Sequence, residues 1–507
     1  MVAVNHGGDE DPATDATTMT FSAPVRRSAI AIAIAMGLSG CAFAPATPPS
    51  PATVSPAEWQ AQLPPAAPVA HGGSEEQLLQ WWRGQGDPLL AELIAAAQAV
   101  SPTLSAATAQ IANARANRTA AGAALLPTLD GSLQGSRTSA QPPLPMATTV
   151  QGALQAGWEI DLFGGNRAAR DAAEARYQGA QAGWHDARVS IAAEVANQYY
   201  ALRTCERLVA ITASDAESRA ATGRLTALAA EAGFQAPATA ALARATTAEG
   251  NSRLVQQRAA CDLDIKTLVA LTAMPEAALR QRLQANTGDL PQDARLQIAA
   301  LPAAVLAQRP DLAARAREVA AASADIGAAE AERYPRLTLA GSVGAARFRS
   351  SELSGSLETW SVGPVALTLP LFDGGRRAAN AAAARERYDD AVRQFQAAAR
   401  QAVREVEQAL VRLDSTARRS ADAVVAVEGY TASFAGIEAR YRGGLASLLE
   451  LEEARRVRLA AETALLSLQN ERTAAWITLY RAAGGGWDGV LEQQARVDNS
   501  RGASERP

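Results

Sequence analysis

The chain is poor in the residues from which a soluble enzyme builds a catalytic centre. It holds three histidines (His6, His71 and His185), all isolated, and three cysteines, Cys41, Cys205 and Cys261. No His/Cys set has zinc spacing, and there is no nucleophile elbow. Gly164-Gly165 and Gly374-Gly375 lack the residues that surround a phosphate-binding loop. No catalytic residue, metal site or cofactor is therefore expected. Aromatic residues make up only 5% of the chain, too few for a thick globular core. Alanine is abundant instead, which favours long helices. A net charge of −4 gives no reason to expect nucleic acid as a partner. No run reaches the roughly 18 apolar residues of a membrane-spanning helix, so any part of the mature chain within a bilayer must be strand.

What is present begins with an address. Arg26-Arg27 precede the short apolar run Ser28 to Met36, then Gly37-Leu38-Ser39-Gly40-Cys41. This is the order of a signal peptide, with a charged region, an apolar region and small residues at the cleavage point. Leu38 to Cys41 resembles a bacterial lipobox, which implies cleavage over residues 1–40 and lipidation of Cys41. An ordinary signal peptide with an incidental cysteine is the alternative. Ala42, rather than Asp, follows the cysteine and favours the outer membrane. The polar stretch ahead of Met19 is unlike a signal peptide's first region, so Met19 is a candidate true start. Residues 41–74, rich in Pro, Ala, Ser and Thr, read as an extended lipidated tether.

The body of the chain contains one stretch twice. Leu162-Phe163-Gly164-Gly165 and Leu371-Phe372-Asp373-Gly374-Gly375 each follow an alternating run and open a long Ala- and charge-rich segment. A strand-to-helix joint recurring after about 210 residues indicates two structural repeats. Repeat 1 spans 75–290. Asp87-Pro88 and Ser101-Pro102 are N-cap and first-turn signals for a helical pair. Strands are expected at about 128–137 and 149–158, from their two-residue periodicity. Long helices are expected at about 167–231 and 237–271, and residues 272–302 are mixed. Repeat 2 spans 291–487, with strands at about 337–345 and 360–369 and long helices at about 376–441 and 446–483. Residues 488–507 read as a disordered tail.

Four strands cannot close, and lipid does not tolerate an open sheet edge. Closed membrane barrels begin at about eight strands. If these strands enter a membrane, several copies of the chain must contribute them.

At this point the chain resembles the outer-membrane efflux proteins of the TolC and OprM type, and most of all their lipoprotein branch. The residues that carry the likeness are Leu38 to Cys41, Trp81-Trp82 with Asp87-Pro88, and Gln308-Arg309-Pro310-Asp311. To these are added both Leu-Phe-(Asp)-Gly-Gly joints, Tyr441 to Gly444, and Gly484 to Trp487. The resemblance implies a mainly α fold with membrane β: two tandem repeats, each helix-helix-strand-strand-long helix-long helix. It implies a homotrimer whose twelve-stranded barrel continues into a periplasmic α-helical barrel. The implied partners are outer-membrane lipid, a periplasmic adaptor and an inner-membrane pump of the RND type.

Such a tunnel must close at its far end, where the long helices turn. Leu449, Glu453 and Arg456 lie beyond the second turn at i, i+4 and i+7, on one helix face. The resemblance places them at the periplasmic gate, where the family would have Asp in place of Glu453. An exposed Glu–Arg pair is weak, but threefold repetition would bias closure while leaving it reversible by a partner. An ordinary solvated helix face is the plain alternative. The turns at Gly233-Phe234 and Gly443-Gly444-Leu445 resemble adaptor-contact tips, or they only make the turn. Gly164, Gly165, Gly374 and Gly375 are the barrel–tunnel joints. Cys205 and Cys261 each stand 28 residues from Gly233, on opposite sides. In an antiparallel hairpin they lie side by side, and an oxidising periplasm would join them; two buried thiols are the alternative.

The leading function is a passive exit duct for drugs or other small molecules. A duct for type I protein secretion or metal-ion efflux has the same architecture. A periplasmic adaptor lipoprotein would also have long hairpins, but not four alternating strands within a duplicated unit.

Overall fold

The computed structural model describes residues 60–61, 82, 87–139, 146–286, 306–351 and 353–487. Cys41, the signal segment and the tail at 488–507 lie outside the described residues. In chain order the elements are α1 (Pro88–Val100), α2 (Pro102–Ala123), β1 (Thr128–Thr138), β2 (Ala147–Ile160), α3 (Gly165–Glu231), α4 (Pro237–Thr272) and α5 (Glu276–Ala285). Then follow α6 (Pro310–Ala331), β3 (Arg336–Arg349), β4 (Ser354–Thr368), α7 (Arg376–Arg442) and α8 (Leu448–Ala482). They form two compact units. One gathers 125–165 and 327–377, and the other gathers 47–124, 166–326 and 378–507. Both repeats contribute to both units.

The strand unit is one antiparallel sheet in the order β1-β2-β3-β4. Residues opposite one another on paired strands share a face, so the register sorts the side chains. Leu133 faces Gly152, Leu154 faces Val343, Trp158 faces Leu339, and Val343 faces Trp360. Leu129, Val150, Ile160, Leu337, Val362, Val365 and Leu367 fall on the same face. The opposite face carries Asp130, Ser132, Gln134, Gln151, Gln155, Ser342 and Ser361. Two hydrogen bonds cross it, Gln151 Nε2 to Gln134 Oε1 at 3.1 Å and Ser342 to Ser361 at 2.8 Å. β1 is exposed at every residue.

The strands differ in extent from the sequence expectation. β2, β3 and β4 run 147–160, 336–349 and 354–368, where 149–158, 337–345 and 360–369 are the sequence-based bounds. The largest difference is the start of β4. Ser354 to Thr359 has weak alternation, but β3 extends to Arg349 and holds it in register through Arg349–Ser354 pairing. A bulge sets two residues of β4, Gly363 and Pro364, opposite Ala340 alone. Proline cannot donate to a ladder and is tolerated at such a place. The extra residue also resets the alternation, so Trp360 and Val362 share a face with Val365 and Leu367.

The helical unit is dominated by α3 and α7, each 67 residues, or about 100 Å at 1.5 Å per residue. α4 returns along α3, and α8 along α7. Leu90, Leu93 and Ile94 of α1 enter one core with Val195, Tyr199, Leu202, Leu268 and Leu279. Val406, Leu410, Trp476 and Leu479 of α7 and α8 form a second. The region after α4 contains α5, beyond the mixed reading. Ahead of β3 the described residues hold one helix of the expected pair, α6.

The sequence motifs resolve as polar clasps between short and long helices. Asp87 caps α1 through Leu89 N–H at 3.0 Å, accepts from Asn286 Nδ2 at 2.7 Å, and accepts from the Tyr199 hydroxyl. Arg309 donates to Ala482 O at 3.0 Å, Asp311 at 2.7 Å and Glu405 at 3.0 Å, tying the starts of α6 and the ends of α8 to α7. Gly484 lies against this clasp, and a Cβ there would meet Gln308 O at 2.2 Å. The tether is held as well: Gln60 and Ala61 N–H donate to Glu407 at 2.7 and 2.8 Å.

Candidate functional site

The two long hairpins end in the same backbone motif. At the first tip, Gly233 N–H donates to Ala230 O at 3.0 Å and Phe234 N–H to Ala229 O at 2.8 Å. At the second, Gly444 N–H donates to Tyr441 O at 3.0 Å and Leu445 N–H to Arg440 O at 2.7 Å. These are Schellman closures, which need a left-handed residue after the helix. Gly233 and Gly444 supply it with φ of 80° and 73°, whereas Gly443 does not have positive φ. Both closures leave an apolar side chain, Phe234 or Leu445, exposed at the turn. Ser447 and Glu450 then form a capping box that starts α8.

α8 carries two acid–base pairs one residue apart, and the structure treats them oppositely. Glu453 and Arg456 are bonded at 2.9 Å through Nε, with 58% and 66% of their side chains exposed. The Arg456 guanidinium holds the Glu453 carboxyl below its ordinary range. Leu449 is exposed on the same side. The three predicted gate residues thus share a free face.

The neighbouring pair is buried. Arg455, with no exposed side-chain surface, donates to Glu452. Its Nη2 reaches Ser218 at 2.9 Å and Thr222 at 3.0 Å on α3. Glu452 also accepts from Arg219, which binds Asp215 at 2.9 Å. Phe434 of α7 lies under the Arg455 guanidinium, 5.6 Å from ring centre. The result is an alternating chain of four charges, Asp215, Arg219, Glu452 and Arg455, that joins the two hairpins and sums to zero. Burial holds the Arg455 guanidinium below its ordinary value even with Glu452 beside it. Closer to the tips, Thr226 and Tyr441 hydroxyls meet at 2.8 Å. The sequence reading gave the four charged residues no role. Their signal was available as i,i+4 and i,i+3 acid–base pairs, Asp215 with Arg219 and Glu452 with Arg455.

Farther from the tip, Cys205 on α3 and Cys261 on α4 are joined as a disulfide with Cα atoms 5.6 Å apart. The structure brings them together and keeps them apart from the charge chain. The joints differ from one another. Gly164 has positive φ at the first, and Gly374 and Gly375 both do at the second. There Asp373 accepts from Gly375 N–H at 3.0 Å and Arg377 N–H at 3.1 Å, capping α7. Among the described residues no cluster of His, Cys, Asp and Glu could hold a metal ion.

This arrangement has a charged but net-neutral interior link, a charged exposed face and exposed apolar tips. It links the two hairpins. The family model described as outer membrane efflux protein matches residues 93–273 and 301–485. The chain is 30% identical to outer membrane protein OprJ of Pseudomonas aeruginosa over 471 residues, covering 90% of this chain and 95% of that one. It is 28% identical to the toluene efflux pump outer membrane protein TtgI of Pseudomonas putida, covering 79% and 86%. The solved outer-membrane channel OprN superposes with a TM-score of 0.72 at 26% identity, covering 87% and 99%.

Proposed function

The chain belongs to the outer membrane efflux protein family, and we infer from this that it is the outer-membrane channel of a tripartite efflux system. The observation that carries the reading is the two-faced sheet. One face carries Leu, Val, Ile and Trp among small residues, with Arg137, Arg347, Arg349 and Glu358 toward the β1–β2 and β3–β4 turns, suited to lipid; the other carries mainly Gln, Ser, Thr and Ala, suited to a water-filled lumen. Among the described residues the outer edges of β1 and β4 have no strand beside them. Three copies close a twelve-stranded barrel, anchored further by lipid on Cys41.

The long hairpins form the periplasmic tunnel. Gly233, Phe234, Gly443, Gly444 and Leu445 meet an adaptor, which links the duct to an inner-membrane pump of the RND type. Leu449, Glu453 and Arg456, repeated three times around the axis, narrow the entrance. The buried charges from Asp215 to Arg455 set how far each hairpin can move from its neighbour. The cargo is drugs or other small molecules, and the pump supplies the energy.

Deleting the gene tests this. Susceptibility to a panel of antibiotics, dyes and solvents should rise and return to normal on complementation. Unchanged susceptibility, with loss of a secreted protein or raised sensitivity to metal ions alone, would replace the small-molecule reading.

A further inference from the structure

The charges of the apolar sheet face gather at one end. The paired rows nearer the joints carry no ionisable group: Ile160 with Leu337 and Leu367, Trp158 with Leu339 and Val365, and Leu154 with Val343 and Trp360. The two rows nearest the β1–β2 and β3–β4 turns are different. Across the four strands one reads Arg137, Thr148, Arg349, Ser354 and the other Gly135, Val150, Arg347, Ser356. They hold three arginines and no acid. Glu358, the one acid of this face among the paired residues, stands a row nearer the joints, opposite Ala345.

These arginines are not where charge is cheapest. The neighbouring row of the polar face reads Ser136, Thr149, Phe348 and Gly355, with no charge at all. On a lipid face arginine is costly at the bilayer midplane and far less so near its boundary. Arg347 and Arg349 lie ten and twelve residues along β3 from Leu337. At about 3.4 Å per residue and a strand tilt of about 40°, that is about 26 and 31 Å along the membrane normal, just past an apolar band about 25 Å tall. The arginines therefore stand at the outward rim. Arg137 and Arg349 flank Thr148, about 10 Å apart over two strand spacings, and Arg347 follows Arg349 on the same face at about 7 Å. All three are exposed, and among the described residues none is in an ion pair. Arg137 is steadied by its Nε, which donates to Met146 Sδ at 3.2 Å.

We propose that this patch binds the phosphates of lipid A, the outer-leaflet glycolipid whose headgroup carries a phosphate at each end. The proposal rests on the reading of the sheet as part of a membrane barrel with its turns outward. Guanidinium forks match phosphate oxygens in bidentate pairs. Arg349 with Arg347 makes one centre of positive charge and Arg137 the other, with the hydroxyls of Thr148, Ser354 and Ser356 as further donors. A headgroup with two phosphates satisfies both centres, and a phospholipid with one phosphate leaves a centre unmatched. Leu154, Val343 and Trp360, all exposed a little nearer the joints, give the acyl chains an apolar bed.

Native mass spectrometry tests the site, using the full-length channel extracted from outer membranes in mild detergent and titrated with lipid A. Lipid A should appear as discrete mass additions. Lipid A stripped of both phosphates, and phosphatidylglycerol, should each bind at least tenfold more weakly. Arg137→Gln, Arg347→Gln and Arg349→Gln combined should lower lipid A occupancy to the level of the stripped lipid. Arg336→Gln, which removes one charge from the polar face beside Glu159, should leave it unchanged. Equal binding of stripped lipid A overturns the phosphate site with no variant needed. Equal binding of phosphatidylglycerol overturns the assignment to lipid A, and unchanged occupancy in the triple variant overturns the three arginines. Each of these leaves the barrel reading standing. Ser351→Cys, in the β3–β4 turn, should react with a membrane-impermeant maleimide on intact cells. Failure to react overturns the outward turns, and the lipid site with them.

Discussion

Arg455 and Arg456 are adjacent, of one type, and each is paired to a glutamate three residues earlier, yet one is buried and the other bathed in solvent. A rotation of about 100° per residue around the helix separates them. The sequence shows both pairs equally well. What decides between them is the tertiary neighbour: Ser218, Thr222 and Phe434 accept Arg455, whereas the Arg456 side chain stays 66% exposed. That is why the exposed trio was legible from spacing and likeness and the buried chain was not. Removing one partner of a buried ion pair costs about 3–5 kcal/mol. Arg455→Ala should lie near the lower end, since Glu452 keeps Arg219. Hydrogen exchange should quicken over 215–226 and 448–459 and leave the sheet unchanged.

Among the elements, the long helices were the most legible. Their unbroken Ala-rich length and the glycine stops define them, and α3 ends at Glu231 and α7 at Arg442. Strand ends were less legible. The first half of β4 owes its state to pairing with β3 rather than to its own alternation, and a proline inside a strand obscures the bulge that tolerates it. The α3–α4 hairpin differs from α7–α8 in being stapled. The link closes a loop of 56 residues in sequence separation, so opening it releases about 4 kcal/mol of chain entropy to the unfolded hairpin in the loop-closure description. Cys205→Ser with Cys261→Ser should therefore loosen the first hairpin most. Mass-resolved exchange with and without reductant should show faster opening across 206–260, with a smaller effect at 448–459, where the charge chain joins the hairpins, and none across 380–430.

For the whole molecule, two repeats yield two hairpins of unequal character, and the proposed gate residues lie on the one without the disulfide. Glu453→Ala combined with Arg456→Ala should raise single-channel conductance in planar bilayers several-fold, with the fold intact by circular dichroism. Conductance equal to that of the parent protein would remove these residues from the gate.

The two raw edges of the four-stranded sheet also set the rules of assembly. A pair of chains hides one edge from each partner and still exposes one from each, so pairing leaves the membrane problem unsolved. Only the closing chain abolishes the last edges. Half-built species should therefore be scarce, and the yield of finished channels should fall more steeply than the supply of subunits. A cell that halves expression of this chain would lose more than half of its exits.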